Sequence, residues 1–241
     1  MSPTKTSDVL ARLAEDPARA ALFLDVDGVL APIVARPEDA RVSEDTQAEL
    51  RRLHGRYALV ACISGRAGAD ARRIVGVPEL TYVGNHGIEL DPDADRWRDR
   101  LNAFLEHVEW PELENKALTV ALHYRNSADE RAARAQLEEL AERARDDGLV
   151  ARFGRKVLEI LPPIDANKGT AVRRLLTQHG LRRALYAGDD STDLDAFRAV
   201  EALELGVRLA VVTDESPPGL REAADVVVTS PEELVPVLRA L

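Results

Sequence analysis

The sequence predicts an α/β fold: a parallel sheet covered on both faces by helices, with a smaller α+β segment inserted part-way along. Three observations carry that prediction. Short apolar runs alternate with stretches of helical spacing toward both ends of the chain. Several of those runs end at a polar residue close to a glycine. Between residues 89 and 165 the alternation breaks. Alternating strands and helices build parallel sheets buried on both faces, whereas strands in succession pair antiparallel.

Residues 7–20 place Val9, Leu10, Leu13 and Ala14 on one helical face. ALFLDVDGVL follows; its apolar run over 21–26 reads as a buried strand that Gly28 turns into a loop. Ser43 is a natural N-cap for a helix over 43–54. ALVACIS (58–64) is a second strand, 67–75 a helix, and LTYVGNHG (80–87) a third strand. DPDADRWRD opens the insertion as a polar, turn-rich junction. A strand at 118–124, a charged helix at 128–146 and strands at 149–153 and 156–161 follow, closed by Pro162 and Pro163. The alternation then resumes: a helix over 170–178, a strand in RALYAGDD (183–190), a helix at 192–200, strands in VRLAVVT (207–213) and ADVVVTS (224–230), and a short C-terminal helix. The domains expected are 1–88 with 166–241, and 89–165.

Composition narrows the function classes. The chain has 241 residues, 45% of them hydrophobic, enough to bury a sizeable core. No stretch approaches the roughly 18 apolar residues of a spanning helix, so no membrane partner is expected. The formal charge of −10 argues against a nucleic-acid partner. A single cysteine, Cys62, excludes a disulfide framework and a multi-cysteine metal site. The opening MSPTKTSDVLARLAEDPARA lacks the apolar core of a secretory signal, so a soluble cytoplasmic protein is expected. Only four of the 32 basic residues are lysines: Lys5, Lys116, Lys156 and Lys168.

Four motifs carry chemistry. Asp25 and Asp27 follow a buried strand, and Gly28 can turn both toward one pocket; an Asp-rich turn would read the same way. Gly188-Asp189-Asp190-Ser191-Thr192-Asp193 gathers three acids beyond another strand, an oxygen-only set that suits Mg²⁺; acids at a helix start are the plainer alternative. Both clusters in one crevice would repel unless a divalent cation neutralised them. Lys168-Gly169-Thr170 puts a lysine at a helix start, where the dipole opposes it, unless it neutralises charge there. Ser64-Gly65-Arg66 offers a hydroxyl and free N–H groups suited to phosphate. Asp25, Ser64, Asn85 and Asp189 fall at four predicted strand ends, where parallel sheets bind ligands.

In order and spacing these motifs resemble the haloacid-dehalogenase superfamily. The finer blocks LDVDGVLAPI, ARPEDARV, SGR, VGNHGIE, ENKALTVALHYR, GRKVLEILPP…NKGTAV and GDDSTDLDAF resemble the trehalose-6-phosphate phosphatase family, in family order over about residues 22–200. Val29 stands where that family usually has Thr, and Leu194 where Glu is common. The resemblance implies a Rossmann-like hydrolase core with an inserted α+β cap. It also implies a Mg²⁺-dependent hydrolysis of trehalose 6-phosphate through an aspartyl phosphate, and functional coupling to a trehalose-phosphate synthase.

By the same resemblance Asp25 is the nucleophile and Asp27 the acid and base, with Lys168 and Ser64 holding phosphate oxygens. The metal is held by Asp25, the Asp27 carbonyl and Asp189, with Asp193 or Asp190 reaching it directly or through water. Arg66, Asn85, His86, Glu114, Lys116, His123, Arg125, Lys156 and Glu159 bind substrate. For Arg125 and Glu159 a solvated strand position is an equal reading, and His123 reads also as a packed or solvated strand histidine. Sister phosphatases of sucrose phosphate or mannosylphosphoglycerate, a phosphomannomutase, and a silent sugar-phosphate-binding homologue are the rival readings. The two cap blocks favour the trehalose one.

Overall fold

The computed structural model describes residues 3–34, 36–154, 156–214 and 216–241, with the backbone alone for 3–7. The chain divides into two compact units, Met1–Gly87 with Ala166–Leu241, and Ile88–Asp165. The first contains α1 (Pro3–Ala14), β1 (Ala20–Leu24), α2 (Glu44–His54), β2 (Leu59–Ile63), α3 (Gly68–Val75) and β3 (Thr81–Val83). The insertion contains α4 (Ala94–Leu105), β4 (Leu113–Asn115), β5 (Val120–His123), α5 (Glu130–Asp146), β6 (Val150–Gly154) and β7 (Val157–Leu161). The chain returns with α6 (Lys168–His179), β8 (Arg183–Gly188), α7 (Asp193–Glu201), β9 (Leu205–Val211), α8 (Leu220–Ala223), β10 (Val226–Val228) and α9 (Pro231–Ala240).

The larger unit is a six-stranded, wholly parallel sheet of order β10-β9-β8-β1-β2-β3. β1 is central and buried along its whole length, so its apolar run shows no alternation. Leu22 and Leu24 face a cluster with Leu10 and Leu13 of α1, Leu50 and Leu53 of α2, Ile74 of α3, and Leu234 and Leu238 of α9. On the other face α6 lies against β2 and α7 against β8, where Tyr186 meets the Phe197 ring edge-on at 6.0 Å. β2 and β3 build outward on one side of β1, and β8 returns to the other. The order therefore switches between β1 and β8, which opens a crevice beyond their carboxyl ends.

The insertion is an α+β unit with a four-stranded antiparallel sheet of order β4-β5-β7-β6. One face carries Val120, Leu122, Leu158 and Ile160 into a core with Leu137, Leu140 and Ala141 of α5 and Leu101 and Phe104 of α4. The alternate residues, Glu114, Ala121, Glu159 and Arg152, stand in one cross-strand row on the opposite face.

The α/β core and the α+β insertion agree with the sequence reading, and several boundaries do not. The first helix stops at Ala14; Pro17, which lacks an N–H, begins a separate short 3₁₀ turn. The third strand stops at Val83, because Asn85, His86 and Gly87 take positive φ values of 51°, 54° and 107°, which no strand accommodates. α4, β4 and the four-residue α8 are additions.

Leu22 is fully buried at the centre of β1. Leu22→Ala is expected to cost about 2–5 kcal/mol in urea unfolding. Ile33→Ala, at a side chain 71% exposed, is expected to shift stability by under about 0.5 kcal/mol.

Candidate active site

The site starts where β1 ends. Asp25 N–H still donates to the Ala187 carbonyl at 3.0 Å, so β8 holds the strand in register to its last residue. The Asp25 side chain is buried, and its Oδ1 accepts from Val26 N–H at 2.7 Å. The chain then turns tightly: Leu30 and Ala31 N–H donate to Val26 O, and Gly28 N–H to Ala31 O. Gly28 has φ 75°, and a Cβ there would overlap the Asp189 carboxylate. Glycine thus lets the β1 and β8 loops close on each other.

Lys168 is the first residue of α6. Asn167 caps that helix in a reciprocal box, accepting from Thr170 N–H while its own N–H donates to Thr170 Oγ1, both at 2.9 Å. The cap settles the backbone, and the side chain answers the unfavourable dipole. Lys168 Nζ donates to Asp25 Oδ2 at 2.5 Å and to Asp193 Oδ1 at 2.7 Å, with the lysine 2% exposed. Gly169 lies against the Asp195 carbonyl so closely that any Cβ would collide with it, which seats the first turn of α6 on α7.

Asp193, the first residue of α7, is fully buried and accepts four hydrogen bonds. Oδ1 takes Lys168 and the Tyr186 hydroxyl at 2.6 Å; Oδ2 takes the N–H groups of Asp189 and Asp190 at 2.9 Å. The acidic loop is thus wound around one carboxylate. Tyr186 is a site residue that the motif reading missed. Its signal was a hydroxyl among the small and aliphatic residues that follow Arg183, which requires a partner when buried.

Carboxylate oxygens of Asp25, Asp189 and Asp193 lie within 4.8 Å of one another. Burial pushes the Asp189 carboxyl up to about 8, helped by the charges of Asp25 and Asp193 and opposed by Lys168. Burial likewise raises Asp25 to about 7, with Lys168 opposing and Asp193 adding to it. Burial alone would lower the Lys168 pKa, but the two carboxylates override it, so the ammonium is held charged. Acids kept partly protonated chiefly by burial, offering oxygen donors only, fit a hard divalent cation. Asp190 is exposed and outside this cluster; its Oδ1 accepts from Ser191 N–H at 2.5 Å and Ser191 Oγ at 3.1 Å.

Ser64 is buried at the end of β2, its N–H donating to Val83 O and its Oγ accepting from Arg66 N–H at 3.2 Å. Arg66 forks onto Asp27, Nε to Oδ2 at 2.6 Å and Nη2 to Oδ1 at 2.7 Å. Its Nη1 reaches Asp70 Oδ2 and Pro37 O, each at 3.0 Å. Asn85 is fully buried, and its N–H donates to Arg66 O at 2.8 Å; His86 N–H donates to Ser64 O, and its ring covers Gly65.

In the inserted unit, Glu114 Oε2 lies 3.3 Å from His123 Nε2 and 3.7 Å from Lys116 Nζ. Glu159 shares the cross-strand row of Glu114 and is exposed. Arg152, unmarked by any motif, stands next to Glu159 in that row. Lys156 instead donates to Glu130 Oε1 at 2.6 Å, and Arg125 is exposed two residues past β5. Arg155 of the GRK block and the Lys5 side chain lie outside the described residues.

Known proteins share this architecture. A trehalose-phosphate phosphatase of Mycobacterium avium is 37% identical over 203 residues, 75% of this chain and 51% of the relative. The chain thus spans about half the length of that curated relative. An Aspergillus fumigatus trehalose-6-phosphate phosphatase structure superposes with a TM-score of 0.62 at 23% identity, covering 97% of this chain and 96% of that one. The Candida albicans trehalose-6-phosphate phosphatase C-terminal domain gives 0.65 at 21%, covering 96% and 95%. At those identities the two structures speak for the fold. The Trehalose-phosphatase family profile matches residues 23–226, with the buried acids and Lys168 inside the match, and the chain belongs to that family.

Proposed function

We propose that the chain is a Mg²⁺-dependent phosphatase that hydrolyses trehalose 6-phosphate to trehalose and phosphate. The observation that carries this reading is the buried Lys168 ammonium, fastened to Asp25 and Asp193 at 2.5 and 2.7 Å, with Asp189 alongside. Family membership and the names of the relatives supply the substrate.

Asp25, Asp189 and the Asp27 carbonyl would hold Mg²⁺, which neutralises carboxylate and phosphate charge when bound. Asp193 engages both oxygens with four donors, so its work here is to brace Lys168 and the acidic loop. Asp190, exposed, is left for contact through water. An Asp25 oxygen bonds to phosphorus as the bond to the sugar oxygen breaks, and Asp27 gives that oxygen a proton. Water then loses a proton to Asp27 and bonds to phosphorus, and the Asp25–phosphorus bond breaks. Lys168 and the Ser64 hydroxyl hold phosphate oxygens through charge-assisted and neutral hydrogen bonds. Asn85 and His86 shape the loop beside Ser64. Glu114, Lys116, His123, Glu159 and Arg125 offer the hydrogen bonds that sugar hydroxyls require, and Lys156 adds a cation near Glu130. No helix among the described residues is long and apolar enough to cross a membrane. A lone buried thiol, Cys62, suits a reducing compartment such as the cytoplasm.

With Mg²⁺ present, phosphate release from trehalose 6-phosphate should exceed that from glucose 6-phosphate or sucrose 6-phosphate by at least about tenfold. Equal rates would remove the disaccharide assignment. Asp25→Asn should bring turnover to background in the same phosphate-release assay. Lys116→Ala should cut turnover of the disaccharide by about tenfold or more while leaving a small aryl phosphate much less affected.

Metal binding should depend on pH with a fixed sign. Without the ion, Asp25 and Asp189 hold protons up to about 7 and about 8, and a ligated carboxylate must release its proton. Apparent Mg²⁺ affinity should therefore rise from about pH 6 through about pH 8 and level off about one unit higher, with protons released on binding. Calorimetry in buffers of different ionisation heat measures both; an affinity flat across that range would contradict the ligand set.

A further inference from the structure

Arg66 does not stand free to meet a phosphate. A guanidinium has five N–H donors. In Arg66, Nε and one N–H of Nη2 grip the two oxygens of Asp27, and Nη1 is taken up by Asp70 and the Pro37 carbonyl. One N–H remains. Asp70 is itself held by Arg73, whose Nη2 lies 2.5 Å from its Oδ1. The Arg66 backbone is fixed as well, its N–H on Ser64 Oγ and its carbonyl accepting from Asn85. Asp27, by contrast, sits on the turn beyond β1, and among the described residues Arg66 is the one donor holding its carboxylate.

We infer that Arg66 is a positioning residue for Asp27, a fork that fixes where the carboxylate points, rather than a ligand of the substrate. This rests on the phosphatase reading above and assigns Arg66 a role within it. Proton transfer needs donor and acceptor within hydrogen-bond reach, and a displacement of about 1 Å can cost about 10²-fold in rate. A carboxylate on a turn keeps that placement only if something rigid holds both of its oxygens. Arg66 is rigid because its far side is bolted to Asp70 and Pro37.

The test separates steps that need the proton from those that do not. A sugar alkoxide needs one to leave, whereas p-nitrophenolate leaves without one. In Arg66→Ala with Mg²⁺, kcat on trehalose 6-phosphate should fall by about 10²-fold with KM changed by less than about threefold. The first-turnover release of p-nitrophenolate from p-nitrophenyl phosphate should fall by under about a tenth of that factor. Arg66→Lys, a point charge without the fork, should recover part of the kcat. Asp70→Asn, which unbraces Arg66 but leaves the fork, should show the same selective loss more weakly and serves if Arg66→Ala does not fold. KM rising on both substrates with kcat held, or equal first-turnover losses on both, would overturn the assignment. A wild-type chain that hydrolyses neither substrate would remove the phosphatase reading, and this role with it. A wild-type chain active on both, with variants that lose both alike, would remove this role alone.

Discussion

An ammonium with almost no contact with water survives only where negative charge is fixed around it. Here that requirement falls on Lys168, and two carboxylates meet it, Asp25 from the end of β1 and Asp193 from the start of α7. Removing either partner of such a buried pair leaves a stranded charge, at about 3–5 kcal/mol. The surrounding design follows from that constraint. α6 must begin at Lys168, which the Asn167 cap enforces. α6 must lie close on α7, which Gly169 permits. Asp193 must not turn away, and the Tyr186 hydroxyl and two backbone N–H groups prevent it.

The same network carries a deliberate imbalance. Lys168 is one positive charge among Asp25, Asp189 and Asp193. The site therefore rests short of cation, and burial, more than that shortage, raises the carboxyls of Asp25 and Asp189. Asp27, only two residues from Asp25, has its own counter-ion in Arg66. The net charge of −10 bears little on this balance, because long-range surface charge is screened by salt whereas contacts at 2.5–2.7 Å are not.

Much of the core was legible because its strands are buried on both faces and read as apolar runs: Ala20–Leu24, Leu59–Ile63 and, after Arg183, residues 184–188 each stop just before the expected polar residue. The insertion was less so. α4 carries Trp97, Leu101 and Phe104 at helical spacing, but the acids and proline before it mimic a turn. β4 spans three residues, too few for any period to show. In the site, residue types revealed Asp25, Lys168 and Asp189, while pairings did not. Asp193 reads from the sequence as one more metal ligand, and its four hydrogen-bond donors become visible only in the structure. Arg66 reads from the sequence as a phosphate group's partner, and its contacts with Asp27 and Asp70 become visible only in the structure. Those distinctions depend on which lone pairs and protons are already in use, which spacing does not encode.

The strand order has a consequence for how the chain is made. β1 pairs on one side with β2, close behind it in sequence, but on the other side Ala20 must wait for Arg183. The whole insertion, Ile88–Asp165, leaves the ribosome in between as one contiguous piece. Domains of that kind fold as units in order of synthesis. The central strand of the core therefore spends most of translation with one apolar edge unpaired, an edge of the type that recruits other chains. Asp25, its last polar neighbour, gains its counter-ion only when Lys168 emerges. The candidate site therefore closes only after the insertion has been made, and a nascent chain that stops short of β8 exposes the edge around which the finished protein is built.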